Sequence, residues 1–532
     1  MKFPKTLIVV LFFIPVLLWG QIKLSDDFKN TISSPYPVVN AQIKKYYSDG
    51  NGNIISIKKD DNTIIIQHFD DSNGKELSKK IYKDFPSKHE LQEVIQIGSK
   101  LFYIYTAENR DNGLDIYTRE IHFLDGTFDT SKLLFSSKGK VKKVNVTSDI
   151  TDKSMIPYLK SSFSFDKSKV LLWYTRFPLV RRNSKNKDIY GFLVLDNSMQ
   201  LIWGDEFTMP RTEAEMYNLS FCITKDGVVR VVSMLVPSLT YQLMSINSSK
   251  LLTENKIEIK SNAQFYDMTM NEDKNGDLIW VGYYGSRYEM LTGRDASFLI
   301  YMDGIKTVLF KTDGTVNNVK NYEFPASIVN QYEKNAELKK EGSAGIAALT
   351  LRESIFNEDG SILLVGEQFY CGSRTTMDPF AAKKIEVDRI NHYNDVYVSL
   401  INEAGSVEWF KKLPKNQLST ERKGDNGIKF LYTNVASLIF YVEDEKNKEM
   451  KVDDEPVLHA GGGKGYFSVY KVDNSNGNVS KHFLFNLNDL QDEKLHQFDL
   501  SRVFEARSNL FFLEAYMKGD DDKLVRMELL NK

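Results

Sequence analysis

The chain has 532 residues, 42% of them hydrophobic, 26% charged and 12% aromatic, enough apolar content to bury a large core and to exclude a disordered or collagen-like polymer. Its 69 Lys and Arg nearly balance 71 Asp and Glu, for a formal charge of -2, which excludes a phosphate-binding surface spread over the whole molecule. No nucleic-acid partner is expected.

Residues 1–20, MKFPKTLIVVLFFIPVLLWG, place Lys2 and Lys5 ahead of an apolar run from Thr6 to Trp19 that ends at Gly20. This is the pattern of a secretory signal peptide. The run is shorter than the roughly 20 apolar residues that span a bilayer, and Pro15 interrupts it. No later segment reaches spanning length, so the mature chain, residues 21–532, is expected without a transmembrane segment, in the periplasm or outside the cell. No cysteine lies near Gly20 to carry an acyl anchor. Only Cys222 and Cys371 occur, each in an apolar strand-like stretch, FCIT and QFYCG. Oxidising surroundings would permit a bridge, and two buried free thiols fit equally well.

Past residue 40 the chain repeats one cadence of short strand, turn with Asp, Asn or Gly, second strand and looser connection. Ile, Val, Tyr and Phe dominate the strands. NEDKNG separates Phe265 to Met270 from Asp277 to Tyr284, NEDG separates Leu349 to Phe356 from Ser361 to Tyr370, and KDG at Lys225 to Gly227 does the same. Second hairpins follow, as in LFKTDGTVNNVKNY and VYKVDNSNGNVSKHF. Four strands per unit, A to D, start near residues 41, 91, 160, 215, 265, 347, 428 and 497. The expected fold is all-β, a single β-propeller of about eight (seven to eight) four-stranded blades. Each unit averages roughly 64 residues, above the roughly 40 to 50 of compact propeller repeats, so the surplus is expected in loops. The last unit ends after its third strand, Lys523 to Leu530, and the segment from Ile22 to Asn40 is expected to supply the missing outer strand, because an open ring would leave a long unpaired edge. Two smaller propellers or a run of β-sandwiches would also accommodate the strands, but successive local meanders favour one ring.

In a meander the A–B and C–D turns leave at one end, while the B–C connections and interblade links leave at the other. The long connections all fall in the second class. They are Phe177 to Asp188, Ser286 to Ser297, Cys371 to Asn394 and Glu445 to Lys464 as B–C loops, with Pro325 to Gly345 and Lys412 to Gly427 as links. One link contains NQYEKNAELKK, which reads as a short amphipathic helix near residues 326–342. Loops on a rigid scaffold tend to carry function, so this face is the expected binding surface. Its candidate contacts are Arg181, Arg182, Tyr288, Arg294, Arg374, His392, Tyr393 and Lys415, residue types that protein interfaces and carbohydrate platforms both favour.

Catalytic and metal motifs are missing. None of the seven histidines sits at HExxH or another paired ligand spacing. Asn271, Asp273, Asn275 and Gly276 imitate the start of a calcium loop, but the twelfth position is Gly282 where a bidentate Glu is needed, and a tight turn explains the same residues. HAGGGKGY, His459 to Tyr466, has the glycines and lysine of a phosphate cradle without the Ser or Thr and the helix that frame one. The GxSxG elbow is absent. No metal and no cofactor are expected. The expectation is a non-catalytic propeller binding an envelope or extracellular protein or glycan through its long-loop face. The alternative is a glycan-active hydrolase or lyase with a pair of carboxylates at the propeller centre, about 5 to 10 Å apart. Glu289, Asp295, Asp378, Glu386 and Asp388 are the carboxylates that these loops offer.

Trp203 and Trp409 each stand seven residues after Asp196 and Asn402. This resembles the tryptophan-docking turn of quinoprotein propellers and implies an indole packed between neighbouring blades; without an adjacent-cysteine pair it implies no quinone. The turn is also similar to the Asp-box of sialidases, but with a different Gly-to-Trp spacing and no leading serine. GEQFY at Gly366 to Tyr370, HYNDVYVSLINEAGSVEW at His392 to Trp409 and LPKNQLS at Leu413 to Ser419 resemble exported, propeller-like, uncharacterised proteins of Bacteroidetes. That resemblance implies residence in the cell envelope and no particular activity.

Overall fold

The computed structural model describes residues 25–144, 157–178, 185–248, 250–259, 264–291, 297–332, 345–377, 385–420, 426–450, 454–461, 465–488, 490, 495–517, 519 and 521–530. The expected signal peptide, residues 1–20, lies outside them. Tight polar turns organise the strands into meanders. In blade 5, Asp273 Oδ1 accepts the backbone N–H groups of Asn275 at 2.8 Å and Asp277 at 2.9 Å, and Gly276 takes φ +85°, a conformation other residues avoid. The calcium-like stretch therefore closes an A–B turn.

Eight antiparallel sheets result, and together they form an eight-bladed β-propeller. Their first strands are Ile43–Ser48, Glu90–Ile97, Lys160–Phe163, Met216–Ile223, Gln264–Glu272, Leu349–Phe356, Lys429–Tyr432 and Leu495–Arg507, within a few residues of the expected starts. First strands of neighbouring blades lie against one another, from blade 3 to 4, 4 to 5, 5 to 6, 7 to 8 and 8 to 1, so strand A is innermost. A two-faced sheet must bury both faces. Here eight hydrophobic clusters do so, each shared by two adjacent blades. The two tryptophans act at these seams as the quinoprotein-like pattern implied: Trp203 of blade 3 donates its indole N–H to the Gly227 carbonyl of blade 4 at 3.0 Å, and Trp409 of blade 6 covers Gly477 of blade 7.

The N-terminal strand closes the ring. Phe28–Ile32 pairs antiparallel with Asp521–Leu529, from Phe28 opposite Leu529 to Ile32 opposite Val525, and completes blade 8. Behind it the Glu514 carboxylate, fully buried, accepts a hydrogen bond from Tyr36 of the N-terminal segment at 2.9 Å and one from Tyr46 of blade 1. Lys58 Nζ lies 2.5 Å away and Lys44 Nζ 3.4 Å away, with Asp522 within 3.7 Å of both ammonium groups.

Two of the expected B–C loops prove to be strand. In blade 5, Leu278–Leu291 and Ser297–Phe310 stay paired as far as Leu291 opposite Ser297, and in blade 6 Ile362–Met377 and Ile385–Ile401 stay paired as far as Met377 opposite Ile385. Ser286 to Ser297 and Cys371 to Asn394 are thus largely hairpin arms, because extended backbone there satisfies its own N–H and C=O groups across the pair. In the expected helical insertion the described part is a four-residue helix, Ala326–Val329, and residues 333–344 lie outside the described ones. Cys222, buried in blade 4, and Cys371, half-buried in blade 6, are not joined in a disulfide.

Candidate functional site

A cavity of about 680 Å³ opens between blades 3 and 4 where strands begin and end on the B–C side. Register explains its wall. In the second strand of blade 3, Lys169–Thr175, alternate residues face opposite ways: Leu172 and Tyr174 join the core shared with blade 2, while Leu171 and Trp173 turn towards blade 4. Trp173 reaches Phe221 of blade 4, ring centroids 5.3 Å apart and nearly parallel, and Tyr190 lies 5.2 Å from the same ring. The inner strands of blades 4 and 5 both slip register beside the cavity, between Asn218 and Ser220 and between Phe265 and Met268. Such bulges bend a strand locally and re-aim its side chains.

Polar groups edge the aromatic wall. Lys142 Nζ bridges Asp188 at 3.5 Å and Glu213 at 3.2 Å. Burial, assisted by Glu213, pushes the Asp188 carboxyl above its ordinary range against the pull of Lys142. Lys143 pairs with Glu90 at 3.1 Å and stands 5.0 Å over the Tyr158 ring. Tyr174 passes under Gly191, where a Cβ would fall 2.0 Å from its ring, and donates to Glu206 at 2.9 Å. The strand carrying Tyr190 can approach the ring only because residue 191 lacks a side chain.

A second cavity of about 470 Å³ adjoins the first through Lys160 and Trp173 and is shaped by the inner strands of blades 1 to 3. There Glu93 is held above the usual carboxylate range by burial, opposed by a hydrogen bond from Ser161 and by Lys45. A third, about 230 Å³, lies between blades 6, 7 and 8, with Glu353 raised by burial and Lys429 lowered by burial despite their mutual attraction.

The residues expected from sequence are scattered. Arg181, Arg182 and Arg294 lie outside the described residues, although the first two fall in the connection between the strands that wall the groove. Tyr288 is 70% exposed on the blade 5 arm, and Arg374 pairs with Asp388 in the backbone ladder of the blade 6 arm. His392 stacks on Tyr370, centroids 4.3 Å apart. Tyr393 is buried and lines the third cavity. Lys415 is 2% exposed, with its ammonium 2.7 Å from Glu367 and 2.9 Å from the Tyr393 carbonyl, so it braces the blade instead of meeting a partner. Among the loop carboxylates, Glu289 accepts from Tyr301 at 2.6 Å on the exposed arm, Glu386 pairs with Thr376 in the other arm, and Asp295 and Asp378 lie outside the described residues. Sequence reading missed Trp173, Phe221, Lys160 and Glu93. Each sits inside an ordinary strand, and only the meeting of blades distinguishes it.

No family model matches the chain, and no curated protein matches it. Solved structures do: the WD40 domain of SCAP from fission yeast, 8% identical with TM-score 0.34 over 95% of this chain and 99% of that one; quinohemoprotein alcohol dehydrogenase from Comamonas testosteroni, 9% identical with TM-score 0.39 over 95% and 77%; and a protein of unknown function from Bacteroides caccae, 10% identical with TM-score 0.25 over 73% and 94%. Among the described residues no helix is long and apolar enough to cross a membrane, and no cluster of three or more His, Cys, Asp or Glu could hold a metal.

Proposed function

We propose that the protein is an exported, non-catalytic recognition module whose groove between blades 3 and 4 binds a glycan. The observation that carries this reading is the groove itself: about 680 Å³, within the size of ligand sites, with an aromatic wall of Trp173, Phe221 and Tyr190 edged by Lys142, Asp188 and Asn218. Sugar rings present C–H faces that pack on aromatic rings and hydroxyl groups that need fixed donors and acceptors. The groove supplies both within one site. Export is supported by the signal-like run at residues 1–20.

The test is a glycan-array screen of the chain from Gln21, with mass-spectrometric analysis of the same glycans after incubation. Binding to a glycan class without new products is expected, and Trp173→Ala should weaken it about tenfold or more. Unchanged binding by that variant would move the site out of the groove, and an array without any signal would leave a protein partner on the same face. One observation favours the second reading, a hydrolase or lyase. Glu93 in the adjoining cavity and Asp188 in the groove are both held above the usual carboxylate range, as a general acid requires. New cleavage products that vanish in Glu93→Gln would establish it.

A further inference from the structure

The groove contains one charged side chain that its own walls do not answer. Lys160 opens the inner strand of blade 3 and pairs with Trp173 across the sheet, so its side chain leaves on the same face as the indole. It lines both the groove and the adjoining cavity, at their junction. The neighbouring lysines are engaged, Lys142 with Asp188 and Glu213 and Lys143 with Glu90. The Lys160 ammonium makes no hydrogen bond or ion pair among the described residues. Surrounding protein lowers the affinity of its amine for a proton, with no charged neighbour to offset the loss of water. The side chain is nevertheless exposed into the groove, so its ammonium is open to an anionic group carried by a ligand that lies there.

We infer that the ligand of this groove is an anionic glycan, one of whose sugar units stacks on Trp173 while its carboxylate or sulfate group meets Lys160. The inference rests on the reading of the groove as a glycan site. Cross-strand neighbours hold their Cβ atoms about 4.5 to 5.5 Å apart, a spacing comparable to the width of one sugar ring. A unit lying against the indole therefore places a ring substituent at the lysine. Asp188 does not oppose the anion, because Lys142 already faces it.

The test is calorimetric titration of the chain from Gln21 with three probes: a tetragalacturonate, its fully methyl-esterified form, and a sulfated galactan tetrasaccharide without uronate. At least one anionic probe should bind more tightly than the ester, and which of the two does so separates carboxylate from sulfate. Lys160→Met should weaken that probe about ten- to a hundredfold and leave the ester nearly unchanged, whereas Lys160→Arg should stay within about threefold of wild type. The inference is overturned if Lys160→Met binds the anionic probes as tightly as wild type, or if Lys160→Arg loses affinity as Lys160→Met does; loss of binding in Trp173→Ala would then still uphold the glycan reading. If neither anionic probe binds more tightly than the ester, this inference falls while array binding to other glycans keeps the glycan reading; if Trp173→Ala changes nothing, both fall.

Discussion

Replacing Glu514 by Gln should loosen the closure of the ring. The side chain is fully buried and faces the fully buried Lys58 at 2.5 Å, with Lys44 at 3.4 Å. Gln keeps an oxygen for the Tyr36 hydroxyl but removes the negative charge, leaving two ammonium groups to Asp522 alone, 3.6 and 3.7 Å away. Breaking a buried pair by removing one partner costs about 3–5 kcal/mol. Unfolding entropy for a chain of this length is about 1 kcal/mol/K, so the melting temperature should fall by about 3–5 °C if the ring unfolds as one unit. The pH dependence gives a second reading of the same contact. Burial alone would raise the Glu514 carboxyl, but Lys58 and Lys44 overcome it and hold the group at about 2. Its stabilising contribution is therefore complete above the ordinary carboxylate range near 4.5 and is lost as pH falls from there towards about 2. Asp522 runs the other way, because burial and then Glu514 raise it, so its protonation favours the folded state as pH falls. Calorimetric melts of both proteins at pH 7 and pH 3.5 should show the gap between them narrow in acid. A variant melting within about 1 °C of wild type at pH 7 would refute the argument that this carboxylate secures the closure.

Deleting residues 21–37 should leave the Asp521–Leu529 strand as an open edge, and size-exclusion chromatography should show aggregates where the longer chain runs as a defined species. Gly191→Ala should destabilise by about 1–3 kcal/mol, since its Cβ would fall 2.0 Å from the Tyr174 ring; equal denaturation midpoints would show that the ring moves aside freely. Glu272, almost wholly buried and raised by burial to about 7, should cost stability as pH rises from about 4.5 through 7, because ionising it is harder in the folded chain. Glu272→Gln should flatten that decline in denaturation curves taken at pH 5 and pH 8, and a parallel decline in both proteins would count against it.

The blades were legible because a propeller is assembled from local meanders. Turn residues such as Asp273 to Asp277 and the alternation of Val, Ile and Phe lie within one short stretch of chain, and the starts read from them fall within a few residues of the observed inner strands. The missing fourth strand of the last unit likewise pointed to its partner at the other end. The B–C arms of blades 5 and 6 were misread because polar residues interrupt the apolar alternation there, although the backbone pairs as well as in the core. Lys415 reads as a loop cation, and its counterion Glu367 lies in another strand 48 positions earlier.

The sequence by itself determined that this chain closes a ring of four-stranded units, since strand period and turn chemistry act between near neighbours. The tertiary structure decided where a ligand could sit. Trp173 and Phe221, 48 positions apart, meet because blades 3 and 4 pack face to face, beside two inner strands that slip register. The Tyr36 to Glu514 bond spans 478 positions. No local pattern encodes such contacts, because they depend on how whole sheets stack, and sheet stacking is set by the summed burial of both faces of every blade.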